Sequence, residues 1–200
     1  VLQIRSVEFA KKYGVPLEVK SSFKNEDGTI IVKEYEGMEK FVVSGITCKK
    51  DEAKINIVGL PDQPGIAAKL FGILAKNNIN VNMIAQSSIE TVSNLNNISF
   101  TIPEEDLKHI DNALEKIKKE LNPEKVDVSD HIVILSMVGI GMKSNPGVAA
   151  KMFSKLGENN INIQMIGTSE IKISVVIDQD KSNKAIEILH DAFELDKIHS

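Results

Sequence analysis

The dipeptide Pro-Gly occurs twice, at Pro64 and at Pro146, each time before a run of residues with helical spacing. Proline is tolerated at the first helical position because its missing N–H would be unpaired there. Glycine lacks a Cβ atom, so a ligand can approach the backbone closely. The free N–H groups of the first turn and the positive end of the helix dipole favour an anion. The chemistry predicted at each turn is therefore the binding of a small carboxylate.

Polar side chains beside the turns add to this chemistry. Asp62 places a carboxylate next to the first turn, which suits an ammonium group. The following strands offer amide, hydroxyl and carbonyl groups, from Asn80, Asn82 and Gln86 in the first copy and from Asn162, Gln164 and Thr168 in the second. Receptors for a carboxylate and for an ammonium group together describe a free amino acid. The plainer alternative is that the turns are helix caps and that the alternating polar residues are a solvent face.

An internal repeat favours the ligand hypothesis. Residues 64–88 and 146–170 are identical at 14 of 25 aligned positions without a gap, and the identities include polar and turn residues. The copies begin 82 residues apart, which exceeds the ~20–50 residues of solenoid repeats and suits a small domain present twice. The loop before the Pro-Gly pair is two residues longer in the second copy, and residues 89–97 have almost no counterpart there. We therefore expect the two sites to differ.

The elements that must position these residues follow the order β-α-β-β-α-β in each copy. Apolar residues at positions 0, 4, 5 and 8 from Ile66 predict one helix face, and the spacing recurs from Val148. Alternation predicts half-buried strands at residues 79–83 and, in the second copy, 161–165. A second helix is predicted to open at Pro103.

The second copy ends without a fourth strand, which would leave an unfilled sheet edge. Residues 41–48 (FVVSGITC) form a spare β-rich run upstream, and we predict that they complete the second sheet. The fold class predicted is α+β, with two ferredoxin-like domains whose antiparallel sheets carry helices on one face. The first domain, residues 52–130, is then inserted into a second domain made of residues 38–51 and 131–200.

The N-terminal 37 residues lie outside both copies. Residues 5–15 are predicted to form a short helix and residues 17–23 a strand. Residues 25–37 are polar and contain glycine near both ends, which indicates a linker or a mobile hairpin. The sequence does not begin with Met, and we expect it to start inside a longer protein.

Composition argues against several functions. The net charge is −4, aromatic residues make up 4% and Trp is absent, so neither a basic stripe nor a stacking platform for nucleic acid is predicted. No apolar run approaches the ~20 residues of a membrane span. Cys48 is the single cysteine, which excludes an internal disulfide and favours a small buried hydrophobe. The four histidines are scattered and no phosphate-binding glycine motif occurs, so no catalytic residue, metal or cofactor is predicted.

The sequence resembles a known family in several separate stretches. The segments VGLPDQPGIAAKLF and VGIGMKSNPGVAAKMF, together with MIGTSEIKISVVI, are similar to the paired ACT domains of aspartate kinase. The first 23 residues, VLQIRSVEFAKKYGVPLEVKSSF, resemble the tail of its amino-acid kinase domain. The resemblance therefore covers almost the whole chain, with residues 1–37 as kinase tail and linker.

The resemblance implies a regulatory function. Aspartate kinases phosphorylate L-aspartate with ATP on the route to lysine, threonine and methionine. Their ACT pair binds lysine and/or threonine at ACT–ACT interfaces, usually within a homodimer, and lysine is favoured here. ATP and Mg²⁺ are expected only at the kinase domain, whose Lys-Phe-Gly-Gly-Ser/Thr motif is missing from this chain. The chain alone is expected to be non-catalytic and its location cytoplasmic.

Carried over residue by residue, the resemblance implies two effector loops with their strand segments. The first-copy residues are Asp62, Gln63, Pro64, Gly65, Ile66 and Ala67, with Gln86 on the strand. The second-copy residues are Met142, Lys143, Ser144, Asn145, Pro146, Gly147, Val148 and Ala149, with Ile166, Thr168, Ser169 and Glu170. Asn145 stands where the family commonly has His, which leaves the ligand preference of the second loop open.

Two other functions stay open on the residues alone. An ACT pair could serve as the amino-acid sensor or dimerisation module of another protein, such as a transcriptional or translational regulator. A ferredoxin-like enzyme such as an acylphosphatase would need an arginine in its first loop, and LPDQPG contains none.

Overall fold

The computed structural model describes residues 3–24, 26–31, 42–89, 94–139, 142, 145 and 147–196, in two compact units, Val1–Phe41 and Val42–Ser200. In the first unit, helix α1 (Ile4–Tyr13) ends at Gly14, whose φ of 65° is left-handed. Strand β1 (Leu17–Val19) pairs antiparallel with β2 (Thr29–Ile31). The predicted strand at residues 17–23 is thus shorter than expected. The described part of the predicted linker contains one arm of a hairpin, while Asn25 and residues 32–37 lie outside the described residues.

The second unit is built on one six-stranded antiparallel sheet. Its strands are β3 (Gly45–Pro61), β4 (Ile84–Ile89), β5 (Leu95–Pro103), β6 (Lys125–Val138), β7 (Met165–Thr168) and β8 (Lys172–Asp178). Their order in the sheet is β4-β5-β3-β6-β8-β7. The β-rich, alternating runs of the sequence account for these strands, because branched side chains pack well on a pleated surface.

Strands β3 and β6 each run through both halves of the sheet. The first part of β3 pairs with the last part of β6, with Gly45 opposite Val138, and its last part pairs with the first part of β6, with Ile57 opposite Val126. The upstream strand therefore fills the edge that the second copy leaves open, as predicted, although it begins at Gly45 within the predicted run 41–48, of which Phe41 lies outside the described residues. Register shifts near Glu52 separate the two halves.

From this pairing we propose that the chain divides into the two domains predicted from the sequence. We call residues 52–130 the first repeat, and residues 38–51 with 131–200 the second repeat. Each repeat then has the strand order of a ferredoxin-like sheet, and the first repeat is inserted between the upstream strand and the rest of the second.

Two helices cover one face of each half-sheet. They are α2 (Ile66–Lys76) and α3 (Asp111–Leu121) in the first repeat, and α4 (Gly147–Glu158) and α5 (Ser182–Ala192) in the second. The predicted apolar helix faces form the cores: Leu70 and Leu74 pack with Phe100 in the first repeat, and Met152 and Leu156 pack in the second. Each fully buried side chain of this kind contributes about 1.5–3 kcal/mol. Among the described helices, none combines the length and apolar character that crossing a bilayer requires.

Three predicted elements differ from the structure. Residues 79–83 and 161–164 are not ladder strands, and β4 and β7 begin only at Ile84 and Met165. The physical reason is local, because left-handed asparagines follow α2 and α4 and redirect the chain, and in the first repeat it joins β5 only at Asn82 and Met83, through backbone hydrogen bonds with Thr101. The predicted second helix is also interrupted. Pro103 ends β5, a 3₁₀ turn spans Glu104–Lys108, and α3 starts at Asp111.

The helix-free faces of the two half-sheets also meet. Ile132, Ile134 and Val176 point away from the helices of the second repeat and are buried with Met165. Met83 and Ala85 of the first repeat pack against this cluster. The two repeats therefore share a small third core in addition to their common strands.

Candidate ligand site

The loop between β3 and α2 contains the first Pro-Gly pair. Helix α2 begins at Ile66, so Gly65 is its N-cap and Pro64 precedes the cap, and the helix starts two residues later than the prediction of Pro64 at its first position. Gly65 has φ +92°, a conformation that side chains rarely adopt, and no atom lies within 4 Å of a Cβ built there. Gln63 and Pro64 are exposed beside it. The glycine thus provides both the turn and an open approach to the backbone.

The first turn of α2 leaves backbone donors available. Ile66 N–H donates to Gln63 O over 3.3 Å, and Lys69 N–H donates to Gly65 O over 2.9 Å. Among the described residues, the N–H groups of Ala67 and Ala68 have no backbone acceptor. Such groups, at the positive end of the helix dipole, can bind an anion.

Asp62 is held by Asn96 of β5 and by Asn94, which comes just before that strand. The Asp62 backbone N–H donates to Asn94 O over 2.7 Å, and the Asp62 Oδ1 accepts from Asn96 Nδ2 over 2.7 Å. One residue further, Asn97 Oδ1 accepts the Gly59 N–H over 3.1 Å. These asparagines were missed as site residues. The signal for them is the asparagine-rich end of residues 89–97, the segment that has almost no counterpart in the second copy.

Gln86 lies on the edge strand of the same half-sheet. It pairs with Ile98 of β5, two residues along from Asn96, and residues opposite each other in an antiparallel pair share a face. Gln86 is exposed, and Ile84 beside it on this face is 54% exposed. The structure therefore brings Asp62, Gln86 and the start of α2 to one end of one face, open toward the sheet edge.

The described residues of the second loop are placed differently. Met142 is buried in the core of the second repeat, Asn145 N–H donates to Met142 O, and Val148 N–H donates to Asn145 O. Gly147 is the first residue of α4 and lacks the positive φ of Gly65. Val148 is buried and Ala149 half-buried. Lys143, Ser144 and Pro146, which the resemblance also implied, lie outside the described residues.

The strand residues implied for the second loop are at the surface. Ile166 is 47% exposed, and Thr168, Ser169 and Glu170 are exposed as well. Ser169 N–H donates to Lys172 O over 2.8 Å, which closes the short turn between β7 and β8. These residues lie in or just after β7, which is the edge strand at the other end of the sheet from β4, the strand that contains Gln86.

Two of the predicted polar residues donate to carboxylates of their own repeat, near the junction of the repeats. Asn82 Nδ2 donates to both carboxylate oxygens of Glu52 over 2.9 Å, and Glu52 also pairs with Lys49 over 2.6 Å. Its equivalent Gln164 donates to Asp178 over 2.6 Å. Asn80 and Asn162 are exposed. The structure thus directs Asn82 and Gln164 toward the junction of the repeats, and not toward the loops.

A lysine completes this junction. Lys54 of the first repeat donates a hydrogen bond from Nζ to Gln164 Oε1 of the second. Burial lowers the pKa of the Lys54 ammonium, while the carboxylates of Asp178 and Asp127 act in the opposite direction. In the described residues, no group of three or more His, Cys, Asp or Glu side chains is placed to hold a metal ion.

Comparisons with known proteins agree with this architecture. A family model described as ACT domain matches residues 55–122, and another ACT-domain model matches residues 135–193. The chain is 45% identical over 197 residues to the aspartate kinase of Pseudomonas putida, which covers 98% of this chain and 47% of that relative. It is 37% identical to the crystallised regulatory subunit of aspartate kinase from Thermus flavus, with a TM-score of 0.70 over 76% of this chain and 98% of that one. The chain belongs to the aspartate kinase family.

Within the aspartate kinase family, this chain corresponds to the regulatory region with two ACT domains. It spans about half the length of the curated relatives it matches. The chain also has the fold of E. coli aspartokinase III, crystallised in complex with lysine and aspartate, at a TM-score of 0.69 over 96% of this chain and 42% of that one. That likeness, at 21% identity, concerns the fold alone.

Proposed function

We propose that this ACT pair binds a free aspartate-family amino acid at its first loop and thereby feedback-inhibits an aspartate kinase. The observation that carries the proposal is that the loop leading into α2 contains the fixed carboxylate of Asp62 and is followed by the N–H groups of Ala67 and Ala68, which lack backbone acceptors among the described residues. The donors suit the carboxylate of an amino acid, and Asp62 suits its ammonium group.

Inhibition requires that the effector favours one arrangement of the protein. A ligand shifts an equilibrium between two arrangements only by its difference in affinity for them. We propose that a kinase domain of the same protein, outside this chain, responds to the shift and phosphorylates L-aspartate with ATP and Mg²⁺. The ACT pair by itself is then non-catalytic, and the protein is assigned to the cytoplasm.

We further propose that two copies of this chain pair through their sheet edges. Strands β4 and β7 lie at the two ends of the described sheet, and their equivalent residues Ile84 and Ile166 are about half exposed. Met83 lies beside Gly167, so the two edges are close to each other. Exposed edges pair readily with another chain. A homodimer would then close the open side of the first loop.

Lysine is our favoured effector, and threonine is the second candidate. The lysine-bound E. coli enzyme is a structural neighbour with the same fold. The half-site described above recognises the groups that all amino acids share, and the partner copy would complete the pocket for the side chain.

Calorimetric titration of the chain with L-lysine and with L-threonine, each alone and in the presence of the other, tests the proposal. Saturable binding of one of them is expected. If a folded, dimeric chain gives no heat with either, the Pro-Gly turn is a helix cap and the ACT pair is better explained as a dimerisation module.

A further inference from the structure

Asn96 occupies an unusual place for a polar side chain. It lies on β5 in the alternation that continues with Ile98, Phe100 and Ile102, all of which are buried in the core of the first repeat. Asn96 itself is 4% exposed. The alternation of the strand would favour an apolar residue here, since an apolar residue at this end of the stripe would extend the core.

The hydrogen bonds of Asn96 are incomplete. Its Nδ2 donates to Asp62 Oδ1, while its Oδ1 is buried and has no partner among the described residues. The amide cannot be turned round, because an ionised carboxylate only accepts hydrogen bonds and the group facing Asp62 must be the donor. A buried acceptor without a partner lowers stability. Asn96 is therefore a costly residue for the fold at this position.

We infer that Asn96 is a positioning residue for effector recognition. Its amide holds the Asp62 carboxylate beside the start of α2, so the anion and cation receptors keep a fixed separation. The inference rests on the proposed function of the first loop. The register of the second repeat puts Ile171, which is 54% exposed, at the equivalent strand position. The hydrogen bond from Asn96 to Asp62 therefore belongs to the first repeat, in which the loop contains an aspartate.

Asn96→Leu separates positioning from folding. Leucine has nearly the same shape as asparagine and would extend the apolar stripe, but it cannot donate to Asp62. We expect effector affinity to fall by at least about tenfold, because a charge-assisted hydrogen bond that orients the carboxylate is lost. The thermal unfolding temperature should stay unchanged or rise, since replacing a partly paired buried polar group with an apolar one is often neutral or stabilising.

Asn96→Asp adds a readout that a purely structural role would not change. The new carboxylate would face Asp62 and repel it, and one of two adjacent carboxyl groups then takes up a proton at higher pH than usual. The protonated carboxyl can donate to Asp62 as the amide does. Effector affinity of this variant should therefore recover as the pH falls from about 8 to about 5, relative to the wild-type chain.

Asn77→Ala is the matched control. Asn77 also donates from Nδ2 over 2.7 Å, but to Ile73 O at the far end of α2. It should lower the unfolding temperature and leave affinity for L-lysine or L-threonine unchanged. Wild-type affinity in Asn96→Leu, or equal losses in Asn96→Leu and Asn77→Ala, would overturn the inference while the proposed function stands. If the wild-type chain binds neither amino acid, the proposed function fails and the inference fails with it.

Discussion

The glycines of the two Pro-Gly pairs, Gly65 and Gly147, take different positions relative to two equivalent helices. In the first repeat, Gly65 is a left-handed cap outside the helix, and Asp62 is held beside it by β5. In the second repeat, Gly147 is already helical and Met142 of the preceding loop is buried in the core. The helix faces and strands of the repeat are thus preserved, while the loops above them have diverged. Sequence identity at a turn does not by itself imply the same site.

The junction between the repeats shows a similar contrast. Asn82 and Gln164 are equivalent residues, and each donates to a carboxylate. The partner of Asn82 is the buried Glu52, whereas the partner of Gln164 is the exposed Asp178. One of these amide–carboxylate contacts is therefore buried and the other solvated, which predicts unequal contributions to stability.

The largest effect should come from placing a carboxylate in the two turns separately. Gly65→Asp combines backbone strain at φ +92° with a charge where the ligand carboxylate would bind, so effector affinity should fall by about 100-fold or more. Gly147→Asp adds a carboxylate at a helix start, where it is tolerated or favourable, and should change affinity little. Calorimetry with the effector measures both.

Gly65→Ala is the control for this comparison, because it introduces the strain without the charge. Its affinity should lie between those of the wild-type chain and Gly65→Asp. Equal losses in the two aspartate variants would show that both loops bind, and a loss confined to Gly147→Asp would transfer the site to the second repeat.

The next effect is on stability at the junction. Glu52→Ala removes a buried carboxylate that accepts from Asn82 and Lys49, and it should lower the free energy of unfolding by about 1.5–3 kcal/mol. Asp178→Ala removes the exposed counterpart and should cost at most about 1 kcal/mol. Urea unfolding midpoints compare the two variants. Similar midpoints would mean that burial does not distinguish the two contacts.

A smaller effect is expected from the junction lysine as pH changes. Burial lowers the Lys54 pKa, so the folded chain binds fewer protons than the unfolded chain as pH approaches the ordinary value of 10.5. The contribution of Lys54 to stability should therefore increase with pH through that window. Lys54→Ile, which introduces the residue of the second repeat at this position, should abolish that increase in urea unfolding. An identical pH profile in both proteins would contradict the assignment.

The smallest effect should come from Cys48, which lies where the first repeat has Val128. Burial raises the pKa of the Cys48 thiol, although Lys50 opposes the shift. Cys48→Val should change the free energy of unfolding by less than about 1 kcal/mol near neutral pH. Above pH 9.0, the wild-type chain should lose stability relative to the variant, because its unfolded state releases the thiol proton first. A gain in relative stability there would contradict the sign.

Much of this fold could be predicted from repeated apolar patterns. The helix faces at Ile66 and Val148 and the upstream strand that fills the second sheet follow from spacing and from the need to cover an edge. The strand starts were wrong at residues 79–83 and 161–164, because alternating burial begins several residues before the regular strand pairing, which starts at Ile84 and Met165. The period of the apolar residues predicts which side of the chain is buried. It does not predict where backbone pairing begins, because that depends on tertiary contacts.

The site could be predicted less completely. Asp62, Gly65 and Gln86 were predicted as site residues from local chemistry and from the resemblance, and the structure places them at one end of the first repeat. The role of Asn96 could not be read from the sequence, because it depends on a contact between residues 34 positions apart. The use of Gln164 between the repeats depends likewise on a partner in the other repeat.

The central claim is that the first loop, with the N–H groups at the start of α2, binds the effector. Amide NMR spectra of the chain recorded during titration with L-lysine, and then with L-threonine, test it most directly. We expect saturable downfield shifts of the Ala67 and Ala68 amide protons as they take the ligand carboxylate, with little change at Val148 and Ala149. Shifts confined to Val148 and Ala149, or saturable binding without any shift at Ala67 and Ala68, would show that the effector binds elsewhere.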